Sequence, residues 1–316
     1  MKKFKNRNSI PVTGKFTNGK AFQSVIAKLL SGQRNTKSTF CKCLQCATSG
    51  TKTAIPVGKG IPVFIDNGSA YIHEEHRPRM LGYHAGTDSA TIGKVTADGH
   101  TVGLEIEVDY TTKTTPDVIA SIATYMQYRG FNMERDGSVD AEFTGRTDND
   151  MTGICQVVAT LKGFAHYGLI AFTDRTGTHF NVSTARSRAY FPNYSHRKMD
   201  AIVEECYRYM REHREDIEPV FGRVPTDYCN LRGCLGHYCG INVAHLFRDN
   251  GETENTNRFE IRLAKLNIAA DDTNRYFEMA KRCIEWVEDI MTIIENNKPA
   301  SVAYDATAKL MKVVEV

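Results

Sequence analysis

From His100 to Tyr110 the chain reads HTVGLEIEVDY, and apolar and polar residues alternate without a break. Val102, Leu104, Ile106 and Val108 fall on one side of an extended chain, and Gly103, Glu105, Glu107 and Asp109 on the other. A period of two is what a β-strand with one packed face requires. Three carboxylates on a single side repel one another unless something cationic lies beside them. The stretch therefore predicts a strand with a packed face and a charged face, and the charged face needs a counter-charge.

Three further segments repeat the pattern. In DGSVDAEFTG, Val139, Ala141 and Phe143 oppose Asp140, Glu142 and Thr144. In THFNVST, Phe180 and Val182 oppose His179, Asn181 and Ser183, and in NRFEIRLAK, Phe259, Ile261 and Leu263 oppose Arg258, Glu260 and Arg262. Helical patterns separate them. TTPDVIASIATYMQYRG has Thr115 to cap it, Pro116 in its first turn and Gly130 at its C-terminal end. DMTGICQVVATLKGFAHYG and the long KMDAIVEECYRYMREHREDIEPVFG also read as helical, and a closing helix starts near Asp272 or Thr273. Four one-sided strands among helices predict an α+β fold: an antiparallel sheet whose apolar face is backed by helices and whose polar face is open.

Along a strand, successive residues of one face lie about 6.6 Å apart. Carboxylates from two or three strands can thus converge on one or two hard cations. Oxygen donors with at most one imidazole suit Mg²⁺ or Mn²⁺ better than zinc. Arginines on the same face do not suit a bare metal, but they suit a polyphosphate, whose oxygens are bridged by metal and whose transferred group is neutralised by Arg. Acids, then His, then Arg on one face read as a metal–ATP site. Each strand alone is more simply a solvated face whose ion pairs contribute little; the ordered set is the signal. The chain has neither a P-loop nor a glycine-rich dinucleotide turn, so the ATP reading rests on the sheet.

GLEIEV, then AEF after a helix, then THFNVS, then RFEIRL resembles the amidoligase family, carboxylate–amine ligases with a glutamine synthetase and γ-glutamylcysteine synthetase type of fold, common in bacteria and phage genomes. GYH before the first strand and HYCGINVAHL ahead of the last are also similar to that family, and the likeness covers roughly residues 80–290. The resemblance implies metal binding by Glu105, Glu107, Glu142 and His179. It implies phosphate contact by Arg262, with Glu260 beside it and Arg258 in support, and a cofactor-binding role for Asn181 and Asn242. The implied cofactors are ATP and Mg²⁺ (or Mn²⁺), the implied reaction amide formation through an acyl phosphate, and the implied partners a carboxylate and an amine. Two positions depart from the family. Asn181 stands where its second histidine is usual, and Glu142 is followed by FTGR rather than a Ser/Thr-Pro turn. Two rival expectations follow: a catalytically degenerate phage protein of this fold that binds a partner or nucleic acid, and a metal-dependent hydrolase or nuclease using the same acids.

The charge is unevenly spread. Residues 1–65 hold twelve Lys and Arg and no Asp or Glu, which leaves 28 basic against 37 acidic residues in the remainder. This predicts three parts: a basic arm over 1–65, a connecting segment over 66–98 and a catalytic domain over 99–316. The arm carries AFQSVIAKLL, an amphipathic stretch, and is suited to phosphate backbones of nucleic acid. It also carries FCKCLQC, whose Cys41, Cys43 and Cys46 can face one zinc ion if a fourth ligand joins them. His73, His76 and His84 lie about thirty residues on, with His73 the candidate; the alternative is three free thiols on a basic arm. Cys229, Cys234 and Cys239, with His237 between them, match no familiar zinc module and read as loop thiols. Nine cysteines, mostly single, suggest reduced thiols and a cytoplasmic setting, the host cytoplasm for a phage-encoded chain. No apolar run reaches the roughly 18 residues of a membrane span.

Overall fold

The computed structural model describes residues 19–65, 68–83, 100–146, 152–190, 199–222, 229–231, 239–243, 246, 258–265 and 274–296. Helix α1 (Lys20–Ser31) comes first, then β1 (Thr39–Phe40), α2 (Leu44–Ser49), β2 (Ala54–Ile55) and the hairpin of β3 (Gly60–Ile65) and β4 (Gly68–His73). A single 3₁₀ turn, Glu74–His76, leads to β5 (Leu81–Tyr83). The larger part follows as β6 (Thr101–Val108), α3 (Pro116–Tyr128), β7 (Phe131–Arg135), β8 (Ala141–Arg146), α4 (Thr152–His166) and β9 (Thr178–Ser183). It closes with α5 (Ala185–Tyr190), α6 (Met199–Glu212), α7 (Arg214–Phe221), β10 (Ile241–Asn242), β11 (Phe259–Ala264) and α8 (Asn274–Asn296).

Seven strands form one sheet in the order β10–β11–β9–β6–β8–β7–β5. Every pairing is antiparallel except the edge pair β5–β7, which is parallel. The fold is thus mixed helix and largely antiparallel sheet, with a cysteine-rich segment at 41–46 ahead of it. The four strands expected from alternation are β6, β8, β9 and β11, and they occupy the middle of the sheet. Helix α8 lies across β9 and β11 and against α4, α6 and α7. Its Trp286 is buried with Tyr209 and Phe221 edge-on to the indole at 5.6 and 5.3 Å.

Local rules explain several boundaries. Thr115 caps α3 through its side chain, which accepts from Val118 N–H, and Pro116 occupies the first helical turn, where no N–H is needed. Gly130 follows with φ of +80°, a conformation that costs glycine little. The segment expected as one long helix is two, because the chain turns at His213 between α6 and α7. Asp272 and Thr273 lie outside the described residues.

Two expectations change. Residues 20–65 do not form an arm apart from the core. Phe22, Val25, Ile26 and Leu29 of α1 are buried, and Phe22 packs edge-on to Phe64 and Phe164, each at 5.3 Å. Burying apolar side chains of this size contributes roughly 1.5–3 kcal/mol each, which outweighs the solvation of a basic stretch. The boundary placed at 65/66 falls between two strands that pair with each other, β3 and β4. Arg34 and Arg77 both reach Asp117 in the first turn of α3, at 2.8 and 2.7 Å, tying both sides of that boundary to one helix. The second change concerns the polar face. All eight residues of β6 are buried, with Glu105 and Glu107 each 4% exposed, so the sheet is covered on both sides and the charged face is not open. Among the described residues no helix is long and apolar enough to cross a membrane.

Candidate metal centre

Strand register assembles the site. Glu105 on β6 lies opposite His179 on β9, and Glu107 lies opposite Glu142 on β8. Glu134 on β7 lies opposite Glu142 from the other side, while Glu260 on β11 pairs with Asn181 on β9 and with Asn242 on β10. Directly opposed residues on one face bring their Cβ atoms within about 4.5–5.5 Å. Residues spread from 105 to 260 in sequence therefore become neighbours. Arg262, two residues after Glu260 on β11, falls on the same face and lies 3.3 Å from His179.

Two groups of side chains are placed to hold cations. Donor atoms of Glu105, Glu142 and His179 lie within 4.8 Å of one another, and so do those of Glu107, Asp136 and Glu142. Glu142 belongs to both. One carboxylate shared between two ligand sets is the arrangement that bridges paired cations. Oxygen donors with one imidazole suit Mg²⁺ or Mn²⁺.

Electrostatics makes the same demand. Glu105, Glu107, Glu134, Glu142 and Glu260 are all at most 4% exposed; on the same face Arg258 is buried and the Arg262 side chain is 15% exposed. Carboxylates taken out of water need protons or cations to offset the loss of hydration. Burial, then the charges of Glu105 and Glu107, push the Glu142 carboxyl well above the usual carboxylate range. Its Oε2 is buried with no hydrogen-bond partner. Glu105 ends on the other side of the scale: burial and Glu260 push it up, but His179 and the charge of Arg258 prevail and hold it low. Asp136 is half-buried; burial raises it, and bonds from Ser138 outweigh that and lower it.

Around these acids runs a chain of hydrogen bonds. The Asn181 amide N–H donates to Glu105 Oε1 at 2.9 Å, while its Oδ1 accepts from Arg258 Nε at 2.9 Å. Asn242 donates to Glu260 Oε2 at 2.8 Å, and Arg262 Nη1 donates to Glu260 Oε1. His179 Nδ1 is 3.0 Å from Glu105 Oε2 and 3.3 Å from Arg262 Nη1. A neutral ring nitrogen is either donor or acceptor, so Nδ1 satisfies one of these contacts at a time. Burial works against the Arg262 charge, but Glu260, Glu107 and Glu105 outweigh it and keep the guanidinium charged. Its Nε–H is buried without an acceptor. An unpaired acceptor on Glu142 and an unpaired donor on Arg262 thus lie on one buried face, the first suited to a cation and the second to an anion.

Glu105, Glu107, Glu142, His179, Glu260 and Arg262 lie together on one face of the sheet. Asn181 and Asn242, expected at a cofactor, instead hold Glu105 and Glu260 in place. Arg258 is engaged with Asn181. Asp109 and Asp140 leave the set: Asp109 pairs with Arg175 at 2.7 Å, and Asp140 accepts from Tyr110 N–H at 2.7 Å. Asp136 and Glu134 were missed. FNMERDGS carries the signal, since Phe131 and Met133 alternate with Asn132 and Glu134 ahead of an Asp-Gly turn.

The second candidate centre is also assembled, with one replacement. Cys41, Cys43 and Cys46 converge on His76 rather than His73. His73 is the last residue of β4, and the 3₁₀ turn after it swings His76, not His73, toward the thiols. Cys229 and Cys239 are buried, while His84, Cys234 and His237 lie outside the described residues. A cavity of about 870 Å³, lined in part by Cys43, His76, Arg77, Arg79 and Asn132, borders this second centre and not the carboxylates. Buried charge, not cavity size, marks the carboxylate site. No protein-family model matches this chain, and no curated protein matches it.

Proposed function

We propose that the chain is an ATP- and Mg²⁺-dependent carboxylate–amine ligase on a glutamine synthetase-like sheet. The observation that carries the reading is the pair of carboxylate sets sharing Glu142, with the unpaired Arg262 Nε–H on the same face. A carboxylate resists attack by an amine because its leaving group would be oxide. Phosphorylation removes that obstacle: a substrate carboxylate oxygen bonds to the γ-phosphorus of ATP, the bond from that phosphorus to the β,γ-bridging oxygen breaks, and ADP departs. The amine then bonds to the acyl carbon, inorganic phosphate leaves, and the amine loses a proton to give the amide.

Bound Mg²⁺ would supply charge neutralisation for the phosphates, held by Glu105, Glu107, Asp136, Glu142 and His179. Arg262, charged and fixed by Glu260, would meet the transferred phosphoryl group. Asn242 keeps Glu260 oriented, and Asn181 keeps Glu105 oriented with Arg258 behind it.

The two ligand sets sharing Glu142 favour a second reading, a metal-dependent phosphodiester hydrolase, since paired cations serve that chemistry as well. One experiment separates the two. The protein is incubated with Mg²⁺–ATP and pooled carboxylates and amines, and scored by ADP release and by mass spectrometry for a condensation product. The ligase reading expects ADP in step with a product that has lost water. Cleavage of a phosphodiester without ATP supports the second reading. Absence of ADP release, with no condensation product, overturns the first.

A further inference from the structure

A metal centre of a different kind lies at the other end of the molecule. Cys41 and Cys43 flank the entry to α2, Cys46 sits within it, and His76 ends the 3₁₀ turn after β4. The three thiols are 4–5% exposed. His76 Nδ1 is 3.4 Å from the sulfur of Cys41, 3.4 Å from that of Cys43 and 3.4 Å from that of Cys46.

Hydrogen bonding does not account for three equal contacts. A neutral imidazole nitrogen has one proton or one lone pair, which serves one sulfur, not three. A central cation does account for them. With Zn–S of about 2.3 Å and Zn–N of about 2.0–2.1 Å in a tetrahedron, the nitrogen-to-sulfur edge is about 3.6 Å. The observed edges match that within about 0.2 Å.

Backbone N–H groups point at two of the sulfurs. The His73 backbone N–H points at Cys41 Sγ at 3.4 Å, and the Cys46 N–H at Cys43 Sγ at 3.4 Å. Such outer contacts orient metal ligands. We propose that Cys41, Cys43, Cys46 and His76 bind a structural Zn²⁺. Four protein ligands complete the tetrahedron and leave no open position, which is the mark of a structural rather than a catalytic zinc.

The position explains what the ion does. Among the described residues the second buried apolar cluster contains, besides these thiols, only Ile55, Ile61, Val63, Ile72 and Ala120, with Ile65, Ala70 and Tyr71 packed against them. A core that small contributes little by itself, and a metal supplies the missing folding energy. The ion ties the 41–46 turn to the end of the hairpin, and from there the structure continues onto α3. Tyr128 donates to the Lys42 carbonyl at 2.6 Å, and Arg77 reaches Asp117 at 2.7 Å. The proposal is independent of the ligase reading, since it uses none of the same residues.

The test is metal analysis of the full chain with Co²⁺ substitution. One zinc per chain is expected as purified, along with the d–d and thiolate charge-transfer bands of tetrahedral Co²⁺ after exchange. His76→Ala should weaken Zn²⁺ binding by more than the roughly 10–100-fold that losing an outer contact costs. His73→Ala should leave it within that range. His76→Cys, which restores a fourth ligand should His76→Ala fail to fold, should bind one Co²⁺ with stronger thiolate bands. Glu105→Gln/Glu107→Gln should retain its zinc whether or not it binds ATP. Absence of zinc as purified and after refolding with Zn²⁺, octahedral Co²⁺ spectra, or loss of zinc in His73→Ala but not in His76→Ala would overturn the proposal.

Discussion

Glu142 is the residue on which the carboxylate site turns. Its folded carboxyl is pushed above its ordinary range by burial and by Glu105 and Glu107. A raised acid favours the fold in its protonated form; that stabilisation is complete below the ordinary carboxylate pKa and is lost as pH rises through the raised value. A divalent cation needs the ionised form, so binding expels the proton. Affinity for Mg²⁺ or Mn²⁺ should therefore increase with pH above the ordinary carboxylate range, by up to about tenfold per pH unit while Glu142 holds its proton. Calorimetric titration at several pH values checks this, and a flat profile contradicts it. Glu142→Gln should bind more weakly and lose the slope. Asn181 is the second informative residue. Its amide serves a cation and an anion at once, Nδ2 donating to Glu105 and Oδ1 accepting from Arg258. Asn181→Ala leaves both partners short of a bond in a buried place. A loss of about 1–3 kcal/mol is expected in denaturant unfolding.

At the scale of elements, legibility followed how much of each strand obeys its own pattern. β6, β8, β9 and β11 are six to eight residues long and alternate cleanly, so their faces and their chemistry were readable. β5 and β10 have three and two residues, too few for a period to show, and they exist only because neighbours supply hydrogen bonds. β7 was readable but unread, and with it went Glu134 and Asp136. The burial of the charged face was not readable: alternation says that two faces differ, not that the polar one is covered. Choosing His76 over His73 required the 3₁₀ turn, which three residues of sequence do not announce. The β7–β8 pairing offers an element-level test. A Cβ at Gly145 would meet the ring of Phe131, its register partner. Gly145→Ala should therefore force β7 from β8, costing about 1–3 kcal/mol. It should also weaken divalent-cation binding, because Asp136 follows β7 and Glu142 lies on β8. Unchanged stability with unchanged cation affinity would contradict the packing described.

For the whole molecule, the chain's electrostatic asymmetry resolves into two centres of different chemistry. The basic first part contributes a thiol-rich corner and packs α1 into the common core. The acid-rich remainder gathers its carboxylates on one face of a seven-stranded sheet. Arg34 and Arg77, from the basic part and the segment after it, meet on Asp117, so the two centres are joined through α3. Equilibrium binding of Mg²⁺–ATP to the parent protein and to Glu105→Gln/Glu107→Gln, with circular dichroism to establish that both are folded, tests the account most directly. Neutralising two of the carboxylates that would hold Mg²⁺ removes two charged ligands, so affinity should fall by roughly 100-fold or more. A folded double mutant that binds Mg²⁺–ATP as tightly as the parent would contradict the account.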